Sequence, residues 1–216
     1  MPEDKRLQIV TLISGGGSNL QALIDAQRQG LPIRIAAVIS NRADALGLER
    51  ARRHGIPAEI LSHGDYPDRN AYDADLKCLI DRYDPGLVIL AGFMRILTPE
   101  FVTHYHGRML NIHPSLLPKF RGLHTHQRAL DTGETRHGAS VHFVTAELDG
   151  GPVVLQAEVP VLPQDDNARL AARVLEQEHR IYPTVVGWFA EGRLRLGEDG
   201  RPWLDGEPIE KPFFIK

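Results

Sequence analysis

The chain has 216 residues, a formal net charge of -3, 42% hydrophobic and 25% charged residues, and a single cysteine. That balance fits one globular α/β domain over 1–216 and excludes a disordered, fibrous or low-complexity chain. It also lacks the broad positive field of a nonspecific nucleic-acid binder, and the lone Cys78 excludes an intramolecular disulfide and, in an amphipathic run, reads as a small core residue.

The first element, Leu7 to Ile13, is a strand-like apolar run that ends in Ser14-Gly15-Gly16-Gly17-Ser18-Asn19. Helical spacing then begins at Leu20, Leu23 and Ile24. A strand, a glycine loop and a helix start read as a phosphate cradle; the plainer reading is a tight turn with Ser18 as helix cap. Gly15 and Gly17 match G-x-G, but Leu20 stands where a dinucleotide fingerprint needs its third glycine, and no acid ends the second strand. NAD is therefore disfavoured, and without a Lys-Ser or Lys-Thr after the glycines ATP has no support.

A second strand is expected from Ile33 to Ile39, a helix from Ala43 to His54 and a short strand from Ala58 to Leu61. Arg50, Arg52 and Arg53 form the densest basic cluster and read as a solvated helix face. A helix starting near Arg69 carries Ala71, Leu76, Leu79 and Ile80, and Leu87 to Leu90 is a buried parallel strand. It opens into Gly92-Phe93-Met94-Arg95-Ile96-Leu97 before a helix start at Thr98-Pro99-Glu100. In open α/β sheets ligands lie beside such strand ends, so this apolar loop suits a flat heteroaromatic ring, although core filling is the commoner use.

Met109 to His113 reads as a buried strand in which Asn111 and His113 share a face. An amide donor beside an imidazole can steady an oxygen gaining charge while handling a proton, which is acyl-transfer equipment. Pro114 and Pro118 stiffen the loop that follows. A helix is expected from Thr125 to Asp131, then alternating strands at His137 to Thr145 and Val153 to Val161 around a glycine-rich loop that contains Asp149. The sheet is thus mostly parallel, with an antiparallel hairpin in the C-terminal part. Asp166-Asn167 can cap a long last helix, which Pro183 should kink or break, and Gly192 onward reads as a small strand pair and tail. No run reaches bilayer-spanning length, so the expected location is the cytoplasm, with no membrane and no nucleic acid as partner.

The runs I-S-G-G-G-S-N-L-Q, L-A-G-F-M-R-I-L, N-I-H-P-S-L-L-P, G-A-S-V-H-F-V-T-A-E-L-D-G-G-P and E-Q-E-H-R-I-Y-P together resemble the phosphoribosylglycinamide formyltransferase family, from Leu12 to about Leu204. The resemblance implies a Rossmann-like, doubly wound α/β fold and transfer of a formyl group from 10-formyltetrahydrofolate, as co-substrate, to the amine of glycinamide ribonucleotide (GAR). It makes Asn111, His113 and Asp149 the catalytic group, and it implies no metal, NAD or ATP. A carboxylate beside an imidazole favours its cationic form, so Asp149 would help His113 donate to the oxyanion.

The resemblance further implies that Gly17, Ser18 and Asn19 take the ribonucleotide phosphate and Glu178 its ribose. The pterin would meet Met94, Arg95, Ile96 and Leu97, together with Asn111 and the loop Thr145, Ala146, Glu147, Leu148 and Asp149, while Arg69 meets the folate tail. Spacing alone marks Arg69 and Glu178 as surface residues. The Leu117-Pro118 peptide is implied to be cis, and a monomer or homodimer is expected. Two rivals remain. A hydrolase that passes the formyl group to water would use the same trio, and a non-enzymatic small-ligand binder would use only the glycine loop. Zinc held by His104, His106, His113, His124 and His126 lacks the accompanying carboxylate pattern.

Overall fold

The computed structural model describes residues 5–215 and divides the chain into two compact units, Met1–Leu110 and Asn111–Lys216. The first alternates strand and helix: β1 (Leu7–Ile13), α1 (Ser18–Arg28), β2 (Ile33–Ser40), α2 (Leu46–Arg53), β3 (Ala58–Ile60), α3 (Arg69–Asp81), β4 (Leu87–Leu90) and α4 (Pro99–His104). Its strands lie in the order β4-β1-β2-β3, and every neighbouring pair is parallel. Strands covered on both faces must be apolar throughout, and Ile9, Val10, Leu12, Ile13, Val88 and Ile89 are all fully buried. The chain winds from β1 outward to β2 and β3, then returns to the other side of β1 as β4. The carboxyl ends of β1 and β4 thus flank the switch point where open α/β sheets hold ligands.

The second unit takes up β5 (Met109–His113) at Asn111 and continues with α5 (Thr125–Asp131), β6 (Arg136–Phe143), β7 (Val153–Pro160), α6 (Asn167–Ala190), β8 (Leu194–Leu196), β9 (Pro202–Leu204), β10 (Glu207–Pro208) and β11 (Phe213–Ile215). Strand order here is β11-β7-β6-β5, with β6 and β7 an antiparallel hairpin and β11 parallel to β7. The fold is therefore α/β and Rossmann-like, mostly parallel, with the antiparallel hairpin where the strand alternation predicts it. The tail holds more than the expected strand pair: β8, β9 and β10 form a small antiparallel sheet, and β11 returns to the edge of β7.

Helix α6 packs on both strands of the hairpin. It continues through Pro183 as one helix, so of the expected kink or break the break does not occur. A proline inside a helix forfeits a backbone bond and costs about 3 kcal/mol. Here that loss is offset by burial on both sides of it, through Leu170, Val174, Ile181, Tyr182, Val185 and Val186. Two further expectations are corrected. α2 begins at Leu46 rather than Ala43, and Cys78 is exposed rather than core, because the inward face of α3 runs through Tyr72, Asp73, Leu76 and Ile80.

Candidate active site

In the first unit the glycine loop is built by close backbone approach. Gly17 caps α1 in the left-handed conformation (φ 70°, ψ 33°), and its carbonyl accepts the first helical bond from Gln21 at 2.9 Å. No side chain caps the helix, so the plainer reading of Ser18 as the cap fails; Ser18 is already the first helical residue. Gly47 N–H donates to the carbonyl of Gly15 at 3.0 Å, and a Cβ on Gly17 would lie 2.6 Å from Gly47 Cα. At Gly17 only glycine fits, and at Gly47 a Cβ would lie 3.2 Å from Gly17 Cα and 2.5 Å from the end of the Ile13 side chain. Arg52 and Arg53 are exposed as expected, whereas Arg50 is half-buried and its Nε donates to the Gly16 carbonyl at 2.8 Å.

The loop after β4 is pinned at both ends. Ser14 N–H donates to Gly92 carbonyl at 3.1 Å, and Ser14 Oγ accepts from Met94 N–H at 2.8 Å while donating to Asn41 Oδ1 at 2.6 Å. At the far end buried Asp73 accepts from Thr98 N–H at 2.6 Å. Between these anchors Phe93 and Leu97 are buried, whereas Met94 is 66% and Ile96 52% exposed. Core filling thus accounts for half of the loop, and the other half offers an apolar surface. The Arg95 guanidinium lies 4.4 Å from the centre of the Tyr72 ring. Arg69, at the start of α3, is exposed.

In the second unit Asp149 sits in the hairpin loop at φ 47°, a conformation that costs about 1–3 kcal/mol for a residue other than glycine. Its Oδ2 accepts from Gly122 N–H at 2.8 Å and lies 3.4 Å from Nδ1 of His113. On the other side of the ring His113 Nε2 donates to the carbonyl of Phe120 at 2.9 Å. That bond fixes the imidazole, while the Nδ1 contact is longer than a good hydrogen bond, so Nδ1 is the nitrogen available to an incoming oxygen. His113 and Asp149 are only 7% and 11% exposed.

Asn111 joins this group through a residue that sequence reasoning missed. Nδ2 of Asn111 donates to Nε2 of His142 at 3.1 Å, and His142 Nδ1 donates to the Phe143 carbonyl at 2.9 Å. Burial pushes the His142 imidazole down to about 4, against the opposing pull of its bond to Phe143 and of Asp149, whose Oδ1 is 3.9 Å away. A neutral ring with its hydrogen on Nδ1 must accept at Nε2, which turns the Asn111 amide nitrogen inward and leaves its second hydrogen to donate. A buried polar residue inside V-H-F, at the end of a strand that feeds the Asp149 loop, was the available signal.

Histidines 126 and 137 form a second pair, Nδ1 to Nε2 at 3.1 Å, and burial depresses both, His137 to about 4. Of the loop 145–149, Ala146, Glu147 and Leu148 are exposed, and Glu147 pairs with Arg121. Gly151 continues the hairpin with no room for a Cβ, which would collide with the Phe143 carbonyl. Leu117-Pro118 is cis, as the resemblance implied. Glu178 departs from its surface reading: it is 7% exposed, because it falls on the face of α6 that carries Val174, Ile181 and Val185.

The Formyl transferase family model matches residues 7–186. Phosphoribosylglycinamide formyltransferase of Escherichia coli (strain K12) is 58% identical over 204 residues, which cover 94% of this chain and 96% of that protein. The solved structure of phosphoribosylglycinamide formyltransferase from Coxiella burnetii superposes with a TM-score of 0.94 at 53% identity, covering 98% of this chain and all of the other. A formyltetrahydrofolate deformylase from Pseudomonas putida KT2440 shares the fold at a TM-score of 0.82 and 30% identity, over 94% of this chain and 72% of that one. With the match spanning both units and the trio's residues within it, the chain belongs to the formyl transferase family.

Proposed function

We propose that this protein transfers the formyl group of 10-formyltetrahydrofolate to the amine of glycinamide ribonucleotide, giving formyl-GAR and tetrahydrofolate in de novo purine synthesis. The observation that carries the reading is the meeting of His113 Nδ1 with Asp149 Oδ2 at 3.4 Å, beside an Asn111 amide oriented by His142. The amine nitrogen attacks the formyl carbon, a C–N bond forms, and the formyl oxygen gains negative charge. Asn111 Nδ2–H and His113 Nδ1–H donate to that oxygen, each contributing about 3 kcal/mol of barrier lowering on the scale of other oxyanion donors. Asp149 faces His113 and supports its donor form. Collapse breaks the bond to N10 of the folate, and the proton lost by the amine ends on N10. No electrons change hands and the donor is already activated, so the scheme needs no metal, NAD or ATP.

In the first unit Gly17, Ser18 and Asn19 take the ribonucleotide phosphate on backbone N–H groups at the start of α1. Met94, Arg95, Ile96 and Leu97 take the pterin, and Arg69 meets the folate tail. In the second unit Glu178 holds the ribose hydroxyls, and Asn111 with Thr145, Ala146, Glu147, Leu148 and Asp149 completes the contacts to the folate. Among the described residues no helix is long and apolar enough to cross a membrane; the substrates are small molecules, and we assign the protein to the cytoplasm as a monomer or homodimer. Incubation with 10-formyltetrahydrofolate, with and without GAR, tests the reading. Formyl-GAR should form and folate should be released only when the ribonucleotide is present. Release that ignores the amine would instead make the protein a deformylase, the activity named for the Pseudomonas putida neighbour.

A further inference from the structure

Arg50 has surroundings that the chemistry above leaves unexplained. It projects from α2, half-buried, with its Nε on the Gly16 carbonyl at 2.8 Å and its Nη1 3.4 Å from Oε1 of Gln21. Both acceptors are neutral. Gln21 is itself held by its Nε2, which donates to Asp25 at 3.0 Å, so its oxygen is turned to Arg50. Two nearby arginines are matched differently, Arg42 with Asp44 at 2.8 Å and Arg53 with Glu49 at 3.3 Å, while Arg52 is exposed to solvent. Among the described residues the Arg50 guanidinium has no carboxylate partner.

Holding a cation partly out of water without a counter-charge is unfavourable, and a half-buried arginine fixed against a glycine loop by two neutral acceptors is poised for an anion. Its stem supports the same conclusion, because Arg50 Cδ lies 3.5 Å from the point a Cβ on Gly17 would occupy. A guanidinium carries five N–H donors in a rigid fork suited to phosphate oxygens, and the two bonds seen here leave most of them unused.

We propose that Arg50 is a specificity-determining residue for the phosphate of the acceptor substrate: it fixes the Gly16 carbonyl so that the next backbone N–H groups face outward, and it adds its own unused donors to the same phosphate. This rests on the reading of Gly17, Ser18 and Asn19 as the phosphate loop. The test compares glycinamide ribonucleotide with glycinamide riboside, which lacks the phosphate, in the wild type, Arg50→Gln and Arg50→Lys.

Arg50→Gln should lower kcat/KM for the ribonucleotide about 10- to 100-fold, mostly through KM, and leave the riboside unchanged. Arg50→Lys should recover part of the loss, since it keeps the charge without the fork, and the difference should narrow as salt is added. An equal fall on both substrates, or none on the ribonucleotide, overturns the proposal. Where the riboside turns over too slowly to follow, competitive inhibition by ribose 5-phosphate gives the same comparison: its inhibition constant should rise in Arg50→Gln, and an unchanged constant overturns the proposal. Should Arg50→Gln fail to unfold cooperatively on heating, Arg50→Lys carries the test alone, with a loss confined to the ribonucleotide. A wild type that never formylates the ribonucleotide defeats the functional reading, whereas Arg50 is still judged by ribose 5-phosphate binding to the variants.

Discussion

The glycine loop of the first unit and the histidine-carboxylate cluster of the second are made of opposite materials. The loop is built by absence of side chains: Gly17 and Gly47 approach backbone to backbone, and a Cβ on Gly17 would lie 2.6 Å from Gly47 Cα. The cluster is built of side chains held by hydrogen bonds, from the Phe143 carbonyl through His142 to Asn111 and from the Phe120 carbonyl to His113, whose other nitrogen faces Asp149 at 3.4 Å. The difference teaches where each is vulnerable. Adding one carbon should injure the loop, while exchanging one atom should injure the cluster.

The largest effect is expected from such an atomic exchange. Asp149→Asn keeps the shape and the bond from Gly122 N–H through its remaining carbonyl oxygen, but it removes the charge that faces His113. Formyl transfer should fall by about three orders of magnitude with the unfolding midpoint little changed, and His113→Ala should fall comparably. Stopped-time assays of formyl-GAR on folded protein measure this, and near-normal turnover in the double variant would defeat the enzyme reading.

Acid titration probes the same cluster through stability. His142 is neutral when folded, held down to about 4 by burial, whereas an unfolded histidine binds a proton below its ordinary value of 6.5. The unfolded state therefore holds more protons between those limits, so stability is complete above pH 6.5 and is lost as pH falls toward 4. His142 accounts for a loss on the order of 3 kcal/mol across that window, and His137, also near 4 through burial, adds to it. In urea titrations at pH 7 and pH 4.5, His142→Gln should show a smaller difference than the wild type. A difference equal to that of the wild type would mean that another group carries the acid sensitivity.

Gly17→Ala sharpens the contrast from the loop side. The left-handed backbone and the approach to Gly47 Cα both oppose a methyl group, so the expected cost is about 2 kcal/mol in urea unfolding, accompanied by weaker binding of the ribonucleotide but not of the folate.

The two regions also differed in how far they could be read from sequence. Strand β1, the glycine run and the Thr98-Pro99 helix start are local patterns, and each is found where the periodicity put it. The same holds for Asn111 and His113, which share a strand face by parity. Asp149 could be joined to them only by family resemblance, because the meeting is made by a hairpin loop in a left-handed conformation that no spacing specifies. His142, Asp73 and the buried setting of Glu178 were not legible for a related reason: a polar residue in an apolar strand or helix looks like a solvated exception until the partner that satisfies it is known. Asp73 shows this well. Its acceptor role toward Thr98 N–H joins two segments of the first unit by a single bond.

Cys78 marks the small end of the scale and tests whether exposure on α3 follows from the helix face. Its neighbours on the buried face, Leu76 and Ile80, are both fully enclosed, so the stripe that includes Asp73 and Tyr72 leaves position 78 outward. A surface exchange of sulfur for oxygen removes no buried apolar area and leaves no polar group without water. Cys78→Ser should therefore change stability by less than about 0.5 kcal/mol. The same exposure makes a second, independent outcome necessary: the folded wild-type protein should react with a thiol reagent at a rate close to that of a free cysteine, without losing formyl transfer. A thiol that reacts only after unfolding would put Cys78 back in the core and move the inward face of α3, and with it the side of the helix from which Asp73 holds the loop after β4.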